Sequence, residues 1–190
     1  MRLGVDIIIR KLIFILLLAV SVVMSTAQAA TFEESDVKAA FIYYFFHFIS
    51  WPEDGGKSSD DFIEFCSLDN GPVTQSLKQI LATPKAASTK VRATLLTDPL
   101  KVSRCDYLFI SAASENLARE TIKNAQGKPI LTVSDIENFT LWGGMIELKR
   151  TKKRVNVLIN IDTLTDHQLK ASSKLLNLAT IVTTSGKQEQ

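Results

Sequence analysis

Residues Val37 to Pro52 read VKAAFIYYFFHFISWP, and no other stretch narrows the available folds as much. Val37, Ala40, Phe41, Tyr44, Phe45 and Phe48 follow the i, i+3, i+4, i+7 spacing of an amphipathic helix. Ile42, Phe46 and Ile49 widen the apolar arc to about 240°, well beyond the stripe of an ordinary surface helix. Such a helix needs cover on more than one side. Thr31-Phe32-Glu33-Glu34 matches a capping box at its start, and Pro52 closes it. The surplus apolar surface predicts a homodimer, with Phe41, Tyr44 and Phe46 as candidate contacts to a second copy or another partner.

The rest of the chain alternates short apolar runs with helical segments. Strands are expected at Phe62–Leu68, Val91–Leu96, Tyr107–Ile110 and Ile130–Val133, with helices at Val73–Leu81 and Ser114–Ala125 between them. The segment Asp54–Asp61, DGGKSSDD, reads as a loop. Met145–Leu148 and Val155–Ile161 read as an antiparallel pair around a charged turn. Ser172 is placed to cap a last helix carrying Leu175, Leu178, Ala179 and Val182 on one face, and the tail from Ser185 reads as frayed. The pattern is α/β: a single domain with a mixed, mainly parallel sheet flanked by helices, ending in an antiparallel strand pair and a C-terminal helix.

The N-terminus reads as an address rather than as part of that fold. Arg2, Arg10 and Lys11 precede the uncharged apolar run Leu12–Val23, which suits a secretory signal peptide and is short for a bilayer span of about 20 residues. Ala27-Gln28-Ala29 fits the cleavage pattern, so residues 1–29 are expected to leave and 30–190 to form an exported domain; an uncleaved membrane anchor is the alternative. Removing 29 of 190 residues leaves 161, enough to bury one core. It also removes Arg2, Arg10, Lys11 and Asp6, which takes the balance from 22 Lys+Arg and 20 Asp+Glu to 19 of each. The basic character of the whole chain thus belongs largely to the leader, and no electrostatic case for nucleic-acid binding remains. No later stretch has the length of a transmembrane helix.

Cys66 and Cys105 are the two cysteines of the exported part. Export favours a disulfide between them, worth roughly 4 kcal/mol by loop-closure entropy; two buried free thiols are the alternative.

No catalytic or metal-binding pattern emerges. His47 and His167 are the two histidines, and neither has a local ligand partner. The sequence contains no G-x-S-x-G, dinucleotide fingerprint or P-loop, so no enzyme, metal or cofactor is expected. Asp60-Asp61 reads as a solvated turn. Gly143-Gly144 reads first as a tight turn into a strand. Together with Ser172 and Ser173 it is also the candidate lining of a ligand pocket at the carboxyl ends of the strands. Lys149–Arg154, KRTKKR, puts five basic residues in six positions at the expected hairpin tip. Lys152, Lys153 and Arg154 there are candidate contacts to an anionic partner or lipid headgroups, against the plainer reading of a solvated turn.

Three stretches together resemble the YfiR family of periplasmic proteins: VKAAFIYYFFHFISWP (37–52), LTVSDIENFTLWGGMIEL (131–148) and INIDTLTDHQLKASSKLLNLATIV (159–182). They are similar to that family's opening helix ending in W-P, its L-T-V-S-D…G-G-M-I segment and its I-N…S-S-x-L-L-x-L-A segment. Cys66 and Cys105 match cysteines of the family's first strand and of the approach to its third. Tyr44 and Phe46 stand where the family commonly has Asn and a small residue, and His47 replaces a frequent Lys. The 149–154 tip is more charged than the usual turn.

The resemblance implies a small, usually dimeric periplasmic α/β domain without catalytic activity. Relatives inhibit an inner-membrane diguanylate cyclase by binding its periplasmic sensor region, and release of that inhibition raises cyclic di-GMP and favours biofilm growth. The expected function is therefore a non-enzymatic periplasmic regulator of an inner-membrane signalling protein. The alternative is a periplasmic ligand-binding module serving a transporter or sensor kinase.

Overall fold

A computed structural model describes residues 33–52, 62–86, 90–152, 154–184 and 188–189. The expected leader 1–29, Thr31, the expected loop Asp54–Asp61 with its aspartate pair, and Lys153 lie outside the described residues.

The first helix, α1 (Glu34–Phe45), is shorter than its apolar pattern. Its N-cap is Glu33, whose side chain makes no capping bond; Glu34 and Asp36 instead place negative charge on the positive end of the helix. The helix does not run on to Pro52. Residues preceding a proline are pushed towards extended backbone, and here Ile49–Ser50 form a short strand, β1, paired with β8 (Lys170–Ala171). The Phe48 carbonyl accepts from the Ser172 amide at 2.8 Å, so backbone groups past the helix are satisfied by that pairing.

The remaining elements are β2 (Ile63–Ser67), α2 (Pro72–Leu81), β3 (Val91–Leu95), β4 (Tyr107–Ile110), α3 (Glu115–Ala125), β5 (Leu131–Ser134), β6 (Ile146–Arg150), β7 (Val155–Asn160), α4 (Ile161–Asp166), α5 (Ser173–Leu176), β9 (Thr180–Val182) and β10 (Gln188–Glu189). Eight strands form one sheet in the order β3-β2-β4-β5-β6-β7-β9-β10. The first five run parallel, β6 and β7 form the expected antiparallel pair, and β7 and β9 are parallel. The fold is the mixed, mainly parallel α/β sheet read from the sequence.

Strands β4 and β5 are buried along their whole length, as a sheet covered on both faces requires. Alternate residues feed two cores. Phe65, Tyr107, Phe109, Leu131 and Val133 pack with Ala39, Ile42 and Phe45 of α1 and Leu77 of α2. Cys66, Leu108 and Ile110 pack on the other face with Ala118 and Ile122 of α3.

Two expectations near the C-terminus are corrected. Ser172 does cap a helix, its hydroxyl accepting from the Leu175 amide at 3.4 Å, but that helix is a single turn. Leu178 is 76 % exposed, and Val182 lies in a strand rather than on a helical face with Leu175. The β-branched run Thr180-Ile181-Val182 suits a pleated surface, and it closes the flank that β7 would otherwise leave open. In the tail from Ser185, expected to be frayed, Gln188 and Glu189 pair with Val182 and Ile181.

Candidate functional site

The chain leaves β2 through α2 to β3 on one side, while β4 lies on the other side of β2. The loops after β2 and β4 therefore diverge towards helices on opposite faces of the sheet. In open α/β sheets this topological switch point is where a ligand crevice forms. Here it holds a cavity of ≈ 540 Å³, with the first turn of α1 on one side and the loops after β2, β4 and β5 on the other. Val73, Phe109, Ala112 and Ala113 supply apolar lining, and Glu33, Glu34, Lys38, Asp69, Ser111 and Asp135 supply polar groups.

Those polar groups are already organised. Asp69, just past β2, accepts from the Ser111 hydroxyl, from the Ser114 hydroxyl at 2.8 Å and from the Gly71 amide at 2.7 Å. Burial would raise its pKa, but the Ser111, Ser114 and Gly71 hydrogen bonds outweigh burial and hold the carboxyl below its usual range. Asp135, just past β5, accepts from the Ala112 amide at 2.8 Å and from Lys38 at 2.7 Å. Lys38 is 7 % exposed and also reaches Glu34 at 2.7 Å. Burial would lower the Lys38 pKa, yet Asp135 and Glu34 outweigh it and raise the value. The second Glu34 oxygen meets Arg150 at 2.8 Å.

None of the four expected pocket residues lines this crevice. The carboxyl ends of the strands do carry a cavity, but Gly143, Gly144, Ser172 and Ser173 stand elsewhere. Gly143 adopts φ 92°, and a Cβ on Gly144 would run into the Phe139 ring, so the glycine pair serves a turn packed against an aromatic side chain. Ser172 and Ser173 start α5. Asp69, Ser111 and Asp135 were missed. A legible trace exists, since each follows the last buried residues of a strand: Ser67-Leu68-Asp69, Ile110-Ser111 and Ser134-Asp135.

The expected partner residues divide. Tyr44 is 54 % exposed and Phe41 half-buried. Phe46 is 7 % exposed, with its ring centroid 4.8 Å from that of Tyr107 and 6.2 Å from that of Phe65. It belongs to the core and is not a contact surface of the folded chain, because the turn after Phe45 directs it onto the sheet. Much of the wide apolar arc of α1 is thus covered inside the domain, by the sheet and by α2. What remains open is a groove of ≈ 470 Å³ between α1 and α2, lined by Tyr43, Tyr44, His47, Phe48 and Ile80. Lys152 and Arg154 are exposed at the β6–β7 turn, where the Thr151 amide donates to the Arg154 carbonyl at 2.8 Å.

Cys66 in β2 and Cys105 ahead of β4 form a disulfide across neighbouring strands. A cavity of ≈ 330 Å³ lies beside Cys105, bordered by Trp51 and Asp106. His167 is buried, and its Nδ1 donates to the Lys128 carbonyl at 2.6 Å; His47 is exposed. Among the described residues no group of His, Cys, Asp and Glu is placed to hold a metal ion, and no helix is long and apolar enough to cross a membrane.

A family model described as YfiR/HmsC-like matches residues 35–180, from the first turn of α1 into β9. No curated protein matches the chain significantly.

Proposed function

This chain belongs to the YfiR/HmsC-like family, and from that premise we propose that it is a non-enzymatic periplasmic regulator that binds and represses an inner-membrane diguanylate cyclase, lowering cyclic di-GMP. The observation that carries the reading is the extent of the family match, which takes in α1, both core layers and the β6–β7 pair. The apolar run and cleavage pattern before residue 30 support export. The disulfide supports an oxidising compartment.

The surfaces available for such a partner are the α1–α2 groove and the β6–β7 tip. Burying Tyr44 and its neighbours would supply most of the affinity, at about 25 cal/mol per Å² before association costs. Lys152 and Arg154 would speed encounter with an acidic sensor domain or anionic headgroups. The same groove is the proposed face of a homodimer.

The test is deletion of the gene with cyclic di-GMP measured under conditions where the protein is abundant and the cyclase expressed. A rise is expected, together with capture of the cyclase on the tagged protein from solubilised membranes. Unchanged cyclic di-GMP and no captured cyclase would sink the reading. The alternative, a ligand-binding module for a transporter or sensor kinase, draws support from the crevice at the switch point.

A further inference from the structure

We propose that the crevice at the carboxyl ends of β2, β4 and β5 binds a small organic cation, a protonated primary amine on an apolar body, and rejects anions. The proposal concerns binding alone and stands whether or not the partner is a cyclase.

A switch-point crevice between two helix N-termini would ordinarily favour an anion, since free amides and the positive ends of the helix dipoles converge there. In this chain the anion is built in. The Asp69 carboxylate takes the Gly71 amide at the N-cap of α2 and the Ser111 and Ser114 hydroxyls leading into α3. Asp135 takes the Ala112 amide. The Gly71 and Ala112 amides and the Ser111 and Ser114 hydroxyls, donors that a phosphate or carboxylate would compete for, are therefore engaged by the protein's own acids.

The charge that remains has one sign. Among the described residues that line the cavity, Glu33, Glu34, Asp69 and Asp135 are acidic and Lys38 alone is cationic, and Lys38 is held between Asp135 and Glu34. Even with Arg150 pairing Glu34 from outside the lining, acidic charge is in excess. The volume of ≈ 540 Å³ lies within the range of small-molecule sites, and Val73 and Phe109 offer apolar contact to the body of the ligand. A cation brought there neutralises the excess, whereas an anion would be repelled by it.

Isothermal titration calorimetry on the full chain as recovered from its host tests this, with phenethylamine, cyclohexylmethylamine and isoamylamine as probes and 3-phenylpropionate as the anionic counterpart. Saturable one-to-one binding is expected for at least one amine and none for the carboxylate. Glu33 and Ala113 are exposed, so Glu33→Lys and Ala113→Trp should leave the melting curve in place. Each should weaken amine binding roughly tenfold or more, one by reversing charge and the other by filling the crevice. Three outcomes each overturn the proposal: no saturable binding by any of the amines, equal binding by 3-phenylpropionate, or amine affinity unchanged in both variants.

Discussion

The Lys38 ammonium lies 2.7 Å from the Asp135 carboxylate, which is 97 positions away in the chain. The contact ties the first turns of α1 to the loop after β5 and forms one wall of the crevice. Both side chains are largely buried, at 9 % and 12 % exposure. Replacing Lys38 with Met should cost about 3 kcal/mol, as expected when one member of a buried pair is removed and the other is left without its partner. Urea unfolding at neutral pH measures this, and a loss below half that size would show the pair to be dispensable. Because the folded-state pKa of Lys38 is raised above 10.5, its contribution is complete below that pH and fades as pH rises through the folded value.

Asp69 predicts the opposite limb. Its folded pKa is lowered from 3.8, so its contribution is present above that pH and is lost as pH falls through the folded value. Asp69→Asn should lower stability by a constant amount across the neutral and alkaline range and flatten the acid end of the profile, where the native contribution is lost anyway. An unchanged acid limb would refute the role given to the Ser111 and Ser114 bonds.

The disulfide predicts a mass lower by two hydrogens than the reduced chain, with no alkylatable thiol before reduction. Reduction should lower stability by roughly 4 kcal/mol on loop-closure grounds, seen as a drop of several degrees in the melting temperature. Two reactive thiols in the native, unreduced protein would contradict the bond.

Phe46 and Tyr44 are two positions apart yet predict different failures. Phe46→Ala opens a cavity beside Tyr107 and Phe65 and should cost about 3–5 kcal/mol. Tyr44→Ala should barely move the melting curve while weakening self-association or partner binding. Light scattering together with thermal denaturation separates the two. A stable Phe46→Ala variant would remove that residue from the core.

Neutralising Lys152 and Arg154 together should slow association with the membrane partner and flatten its salt dependence, with dissociation and fold little changed. Surface plasmon resonance at two ionic strengths reads both. A change confined to dissociation would place these residues inside the contact rather than at its rim.

Local chemistry carried much of the fold. The short apolar runs Tyr107–Ile110 and Ile130–Val133 predict strands, and β4 and β5 match them to within one residue at each end. Two cysteines allow a single intramolecular pairing, and the structure forms it. Where the reading failed, the deciding partner was remote. Ile49 continues the apolar period of α1, but β8 offers it and Ser50 a ladder. Val182 continues the period of α5, but β7 offers Thr180–Val182 an edge. Helical periodicity cannot register a partner strand, whether it lies 122 residues away, as Ala171 does from Ile49, or 22, as Leu158 does from Thr180.

The crevice marks the same boundary. The residue types after each strand are written in the sequence, and polar groups at Asp69, Ser111 and Asp135 are ordinary loop chemistry when read one at a time. Their convergence follows from strand order. Parallel strands end on the same side, and the reversal between β2 and β4 sends their loops apart, which opens a space no local pattern encodes. The sequence by itself determined the α/β class, the family and the single available cysteine pairing, because these rest on periodicity and residue identity. The tertiary structure alone decided that Phe46 faces inward and that Lys38 meets Asp135, because burial and charge pairing depend on which distant segments the sheet brings together.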